Sequence, residues 1–160
     1  MITMAENVAK LRRNSIVSLR QVTRKNLSQV LRLSVAESQK QFVATNAVSI
    51  AQGCYNKHAW FRAIYADDTP VGFVMLHEDR KKGTYYLWRF MIDEKYQGNG
   101  FGENGMAFIL ERARKSPKAK FMTLSYVRAE GGPEGFYKKF GFEDTGKIED
   151  GEHVAKLIFK

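Results

Sequence analysis

Cysteine, histidine and proline are all scarce: the 160 residues hold one, three and three of them. With Cys54 alone, an intrachain disulfide and a zinc site built from cysteine pairs are both excluded, and a reducing cytoplasmic location is the simplest expectation. His58, His77 and His153 are far apart. A histidine-based metal site would have to be assembled wholly by tertiary structure, so no metal is expected. No run approaches the roughly 20 apolar residues of a membrane span. Met1 to Val17 mixes Glu6, Lys10, Arg12 and Arg13 into a short apolar pattern, which argues against a signal peptide. Acid is also short, with 17 Asp plus Glu against 26 Lys plus Arg and a formal charge of +9. That excess points to an anionic partner, with nucleic acid, an acidic membrane surface and a phosphate-bearing cofactor open on charge alone.

What is present suffices for one folded domain over 1–160. Hydrophobic residues make up 44% and aromatics 12%, too much for a disordered chain, and the length is too short for a second full domain. Val17–Val22 alternates as a strand. Asn26 opens a helix with Gln29 at capping-box spacing and Leu27, Val30 and Leu31 on one face. Residues 37–55 lack a clean period and read as one or two short helices around Asn46. Strands follow at Trp60–Tyr65 and Val71–Leu76, separated by a turn at Ala66–Pro70 in which Pro70 blocks a ladder. A polar turn at Glu78–Gly83 leads into Tyr85–Ile92, so apolar that it reads as a central strand.

Met106, Ile109, Leu110 and Ala113 then recur at helical spacing within Gly102–Lys115. Phe121–Val127 is a strand, Pro133 opens a short helix ended by Gly141, and Phe142–Ile148 with Val154–Phe159 forms a closing hairpin. The order gives an α/β (α+β) domain with one mixed, mostly antiparallel central sheet flanked by helices.

The densest chemical signal is Gln97-Gly98-Asn99-Gly100-Phe101-Gly102, between the central strand and the amphipathic helix. Glycines at this spacing let backbone N–H groups turn toward a ligand at a helix N-terminus, where the dipole favours anions. The duller reading is a flexible connection. Gly100 to Gly105 also matches G-x-G-x-x-G, but the preceding strand ends too early and the next lacks a ribose-binding acid, so dinucleotide binding is set aside. A Walker loop fails for want of Gly-Lys-Ser or Gly-Lys-Thr.

Gln97, Gly100 and Gly102 match a Q-x-x-G-x-G signature. With Arg89–Asp93 before it and Phe136-Tyr137-Lys138-Lys139-Phe140-Gly141-Phe142 after it, the chain resembles the GNAT acetyltransferase superfamily. Through Phe42–Ala44, Asn46, Val71–Met75 and Trp88–Asp93 it is most similar to bacterial spermine/spermidine (diamine) acetyltransferases. The resemblance implies acetyl-CoA as cosubstrate, cradled by Gln97, Gly98, Asn99, Gly100, Phe101 and Gly102, with the pantetheine arm paired to the backbone of Phe90, Met91 and Ile92. It implies direct attack of a primary amine, such as one of spermine or spermidine, in a ternary complex. It is also compatible with a homodimer, and implies neither a nucleic-acid nor a membrane partner.

Such chemistry needs a deprotonated amine, a stabilised oxyanion and a protonated thiolate. The resemblance supplies Tyr137 as general acid; its alternative role is packing with Phe136 and Phe140. Glu37, Glu78, Asp79, Asp93 and Glu130 are candidate bases. Glu37 is favoured because it ends the first helical region, beside the segment that walls the acceptor site in this superfamily. A polycationic acceptor further requires a local negative patch on this basic protein. Trp60 is expected in the core, Trp88 in the core or an acceptor channel, and Arg89 on a phosphate or a neighbouring acid. Cys54 has no nucleophile motif around it. The alternatives are acetylation of a protein N-terminus, a lysine or an aminoglycoside, a catalytically weak acetyl-CoA sensor, and a basic nucleic-acid-binding module.

Overall fold

The computed structural model describes residue 11 and residues 13–160; Met1, Glu6, Lys10 and Arg12 of the N-terminal pattern lie outside the described residues. The elements are β1 (Val17–Arg20), α1 (Leu27–Arg32), a 3₁₀ helix (Glu37–Phe42), α2 (Asn46–Cys54), β2 (Ala59–Ala66), β3 (Thr69–Asp79), β4 (Thr84–Ile92), a 3₁₀ turn (Glu94–Tyr96), α3 (Phe101–Arg114), β5 (Phe121–Tyr126), α4 (Glu134–Lys139), β6 (Glu143–Glu149) and β7 (Glu152–Ile158). The strands form one seven-stranded sheet in the order β1-β2-β3-β4-β5-β7-β6. Every pairing is antiparallel except β4 with β5.

Both faces of the sheet's centre are buried, which is why β3 reads as an unbroken apolar run. Val74 and Leu76 turn to one face with Leu87, Phe101, Met106, Ile109, Leu110 and Met122. Phe73 and Met75 turn to the other with Val30, Ala63 and Met91. The first core is closed by the apolar stripe of α3, the second by α1 and α2.

Two local readings need correction. Pro70 does not end a ladder; it lies inside β3 opposite Tyr65, beside a bulge in which Val71 is the extra residue. A bulge is one of the few places in a sheet that tolerates a residue without an N–H. The extra residue also moves Val71 onto the Val74 and Leu76 face. The capping box at Asn26 and Gln29 does not form either. The Asn26 side chain turns back, accepting from the Thr23 N–H at 2.7 Å and donating to the Tyr65 hydroxyl at 2.9 Å. It fastens α1 to the sheet instead of capping it.

The decisive feature is where β4 and β5 part. Their parallel pairing covers only Thr84–Tyr86 with Phe121–Thr123, while β4 stays paired to β3 as far as Ile92. Beyond Tyr86 no strand among the described residues lies on the β5-facing edge of β4, and the divergence opens a cleft into the sheet.

Candidate active site

The cleft holds about 760 Å³. Tyr86 to Ile92 of β4 form its floor, the 3₁₀ segment around Gln39–Ala44 one wall, and the glycine loop with the start of α3 its head. Ser125, Gly131–Pro133, Phe136 and Tyr137 close it from the β5–α4 side.

The loop's geometry follows from its glycines. Gly98 and Gly100 take φ of +81° and +82°, and a Cβ at either would meet no heavy atom within 4 Å. The glycines thus serve the left-handed backbone rather than tight packing. Gly100 caps α3, whose first internal bond runs from Asn104 N–H to the Gly100 carbonyl at 3.1 Å. The amides of Phe101, Gly102 and Glu103 precede that bond and have no intrahelical acceptor, so they form an anion-binding helix terminus.

The loop is pinned from three sides. Asn99 donates to the Tyr96 carbonyl at 3.0 Å, and its side chain staples the turn without lining the cleft. Gln97 Nε2 donates to the Ile92 carbonyl and to Gln39 Oε1, both at 2.9 Å. Buried Asp93 accepts from the amides of Ser34 at 2.8 Å and Lys95 at 3.0 Å. That bonding makes Asp93 a structural carboxylate rather than a base.

The Asp93 N–H donates to Val71 on β3, so the main-chain groups of Ile92 and Phe90, at odd offsets, face the open side, and those of Met91 face β3. Of the three residues expected to pair with an extended ligand, Phe90 and Ile92 have the orientation to do so. Met91 lines the cleft but its main chain is turned to the sheet, and its sulfur lies 3.8 Å from buried Asn46 Nδ2.

Tyr137 projects from α4 into the same cleft. Its ring packs edge-on against Phe136 at 5.6 Å and Phe142 at 6.1 Å, so the packing role is realised. Burial pushes its hydroxyl up to about 12, with Tyr86 nearby adding to the shift. The hydroxyl therefore stays protonated through the neutral range, as a proton or hydrogen-bond donor must. Helix α4 is held by Arg128, which bonds Glu134 on α4, Asp144 on β6 and the Tyr126 hydroxyl.

The other acids fall away from the cleft. Glu37 does not line it; its exposed carboxylate pairs with Lys40, which does. Glu78 is buried against Arg112 at 2.8 Å, Asp79 pairs with Lys82, and Glu130 is exposed outside the lining. Trp60 packs against the core between Arg112 at 4.0 Å and Arg62 at 4.8 Å. Trp88 lines the cleft and is the extra residue of a second bulge, between Leu87 and Arg89. Arg89 donates to the Trp88 carbonyl at 2.8 Å and to Gln52 at 3.0 Å, and burial lowers its pKa. Gln39, Tyr86, Ser125 and Glu152 also line the cleft and carry no sequence motif; only the fold brings them there. Among the described residues no group of His, Cys, Asp or Glu is arranged to hold a metal ion.

The model of the acetyltransferase (GNAT) family matches residues 27–142, a span running from α1 through the glycine loop to the end of α4. The chain belongs to the GNAT acetyltransferase family. The spermine/spermidine N(1)-acetyltransferase of Bacillus subtilis is 30% identical over 148 residues, covering 86% of this chain and 95% of that protein. Among solved structures, Arabidopsis thaliana Naa50 in complex with a bisubstrate analogue, CoA-Ac-MVNAL, superposes with a TM-score of 0.64 at 26% identity, covering 89% of this chain and 99% of that one. Spermidine N-acetyltransferase from Vibrio cholerae, in complex with CoA and spermine, superposes with a TM-score of 0.68 at 13% identity, covering 89% and 95%. This GNAT chain is an acetyltransferase with acetyl-CoA as its acetyl donor, and the positive-φ glycines, free helix-terminal amides and open β4 edge fit a phosphate-bearing, extended cosubstrate.

Proposed function

We propose that this GNAT domain, residues 1–160, transfers acetyl from acetyl-CoA to a primary amine of a polyamine such as spermine or spermidine, in the cytoplasm, by direct attack in a ternary complex. The observation that carries the mechanism is a protonated, desolvated Tyr137 in one cleft with a helix-terminal anion cradle. The polyamine assignment is supported by the 30% identity, over nearly the whole chain, to a spermine/spermidine acetyltransferase.

In this reading the loop from Gln97 to Gly102 receives the pyrophosphate on its backbone amides, with Asn99 holding the turn. The outward-facing main-chain groups of Phe90 and the N–H of Ile92, whose carbonyl is held by Gln97, take the pantetheine arm as a further strand, and an amide of this stretch polarises the acetyl carbonyl. The acceptor's neutral amine attacks that carbonyl carbon and the C–S bond breaks as Tyr137 donates a hydrogen bond to the departing sulfur; the nitrogen of the new amide gives up one proton, and the thiolate takes one up, through solvent. An alkylammonium has a pKa of about 10.4, so attack draws on a neutral fraction that grows with pH. Glu37 stands outside the cleft lining and any role for it passes through Lys40.

Release of free CoA thiol from acetyl-CoA, measured with spermine, spermidine, diamines, lysine peptides, N-terminal peptides and aminoglycosides, tests the assignment. Polyamines giving the highest kcat/KM supports it. Preference for a peptide N-terminus, the acceptor class of the Naa50 complex, would replace it, and CoA binding without turnover on any amine would make the protein a sensor.

A further inference from the structure

We propose that Glu152 is the specificity carboxylate of the acceptor site, holding a non-reacting ammonium of a polyamine while another amine of the same molecule is acetylated. The inference rests on the polyamine reading above and assigns the group that would make it work.

A protein of net charge +9 repels a polycation at long range, so capture depends on local acid. Five charged side chains line the cleft: Arg13, Lys40, Arg89, Glu103 and Glu152. The two acids come from different elements, α3 and β7. Glu103 is in the first turn of α3, beside the anion cradle, and shares Lys139 at 3.6 Å. Glu152 begins β7 on the side of the cleft lined by Tyr86, Ser125 and Tyr137, and has no ion-pair partner within 4.0 Å among the described residues.

The hairpin builds this position. Asp150 and Gly151, at φ of +49° and +81°, form the turn between β6 and β7 and set Glu149 directly opposite Glu152. Directly opposed residues share a face with Cβ atoms roughly 5 Å apart, and like charges there repel. Glu149 also lacks an ion-pair partner among the described residues, and it lines a smaller cavity of about 370 Å³. That cavity shares Tyr86 and Ser125 with the main cleft. The space in front of Tyr137 thus runs past Ser125 and Tyr86 to a pair of mutually repelling carboxylates that an ammonium would relieve.

The basic groups facing this end bound where the ammonium goes. Arg89 donates to the Trp88 carbonyl and to Gln52, and its guanidinium also feels the Glu152 charge without forming an ion pair to it. Lys147 and Lys156 line the smaller cavity, Lys156 lying over the Phe121 ring at 4.0 Å. They place the favourable position at Glu152, in the main cleft, rather than in the smaller cavity.

The test compares spermidine with n-butylamine, which has one nitrogen and no second ammonium, in wild type and in Glu152→Gln and Glu152→Asp. Glu152→Gln is expected to raise KM for spermidine by about fivefold, as for loss of one partly exposed ion pair. It should leave kcat, KM for acetyl-CoA and kcat/KM for n-butylamine within about threefold, the spread of context for such contacts. Glu152→Asp, which keeps the charge, should recover part of the spermidine affinity. An unchanged spermidine KM in Glu152→Gln, or equal losses on both amines, overturns this inference alone. A wild-type enzyme that acetylates n-butylamine but no di- or polyamine overturns the polyamine reading with it.

Discussion

Replacing Tyr137 by Phe isolates the hydroxyl, because the ring contacts to Phe136 and Phe142 remain and no protein hydrogen bond of that hydroxyl is broken. Stability should change by less than about 1 kcal/mol, since no buried partner is left unsatisfied. The catalytic loss follows from the pKa. A hydroxyl at about 12 is some 3 to 4 units more basic than an ordinary thiol near 8.5. Complete proton transfer to a free thiolate is therefore uphill by roughly 5 kcal/mol, and the residue acts mainly as a preorganised hydrogen-bond donor to sulfur as charge builds there.

Losing one such donor in a desolvated site costs about 10²- to 10³-fold in kcat, or about 2.7 to 4 kcal/mol. Thiol release at saturating acetyl-CoA and amine measures this, with CoA affinity and Tm as controls. The raised pKa also fixes the pH dependence. The protonated form persists until pH approaches about 12, so activity should rise with amine deprotonation through pH 7 to 10 without a descending limb from this residue. Turnover within threefold of wild type in Tyr137→Phe, with CoA binding intact, would refute the assignment. An alkaline limb below pH 10 that vanishes in the variant would refute the burial argument.

Gly83→Ala places a Cβ 1.8 Å from the Lys118 carbonyl oxygen at φ of +76°, and is expected to lower stability by at least about 2 kcal/mol, read as the denaturant midpoint. Asp93→Asn removes a charged acceptor of two amides and should lose about 2 kcal/mol; because Asp93 joins the loop after β4 to Ser34, CoA affinity measured by calorimetry should fall as well. Asn99→Ala frees the turn from its bond to Tyr96 and should raise KM for acetyl-CoA about threefold to tenfold while leaving KM for the amine unchanged.

The sheet and its helices were legible because the apolar periods of β3, β4 and α3 agree with their burial. Local devices were less so. Asn26 has cap chemistry, yet the Tyr65 hydroxyl, distant in sequence, takes its side chain. Pro70 has turn chemistry, yet a bulge absorbs it. Both outcomes depend on partners brought close only by folding. The cofactor side of the site sits on one contiguous glycine-rich segment and could be read from spacing.

The rest of the cleft lining could not, since Gln39, Tyr86, Ser125 and Glu152 come from four separate elements. The favoured acid, Glu37, was chosen by its place in the chain, and the fold turns that carboxylate outward to Lys40.

The last strand in the sheet order, β6, has consequences for solution behaviour. Each of its residues is exposed, and it offers one unpaired edge to any neighbouring molecule. Yet Glu143, Asp144, Lys147 and Glu149 put charge along it, and its register to β7 shifts between Asp144 and Ile148, where Gly146 turns to φ of +78°. Charge and a bulge are what keep an edge from templating a second chain. At the opposite margin β1 has four residues, too short to seed a continuous ladder. Neither margin invites the sheet to grow, so concentrated enzyme should resist fibrillar association.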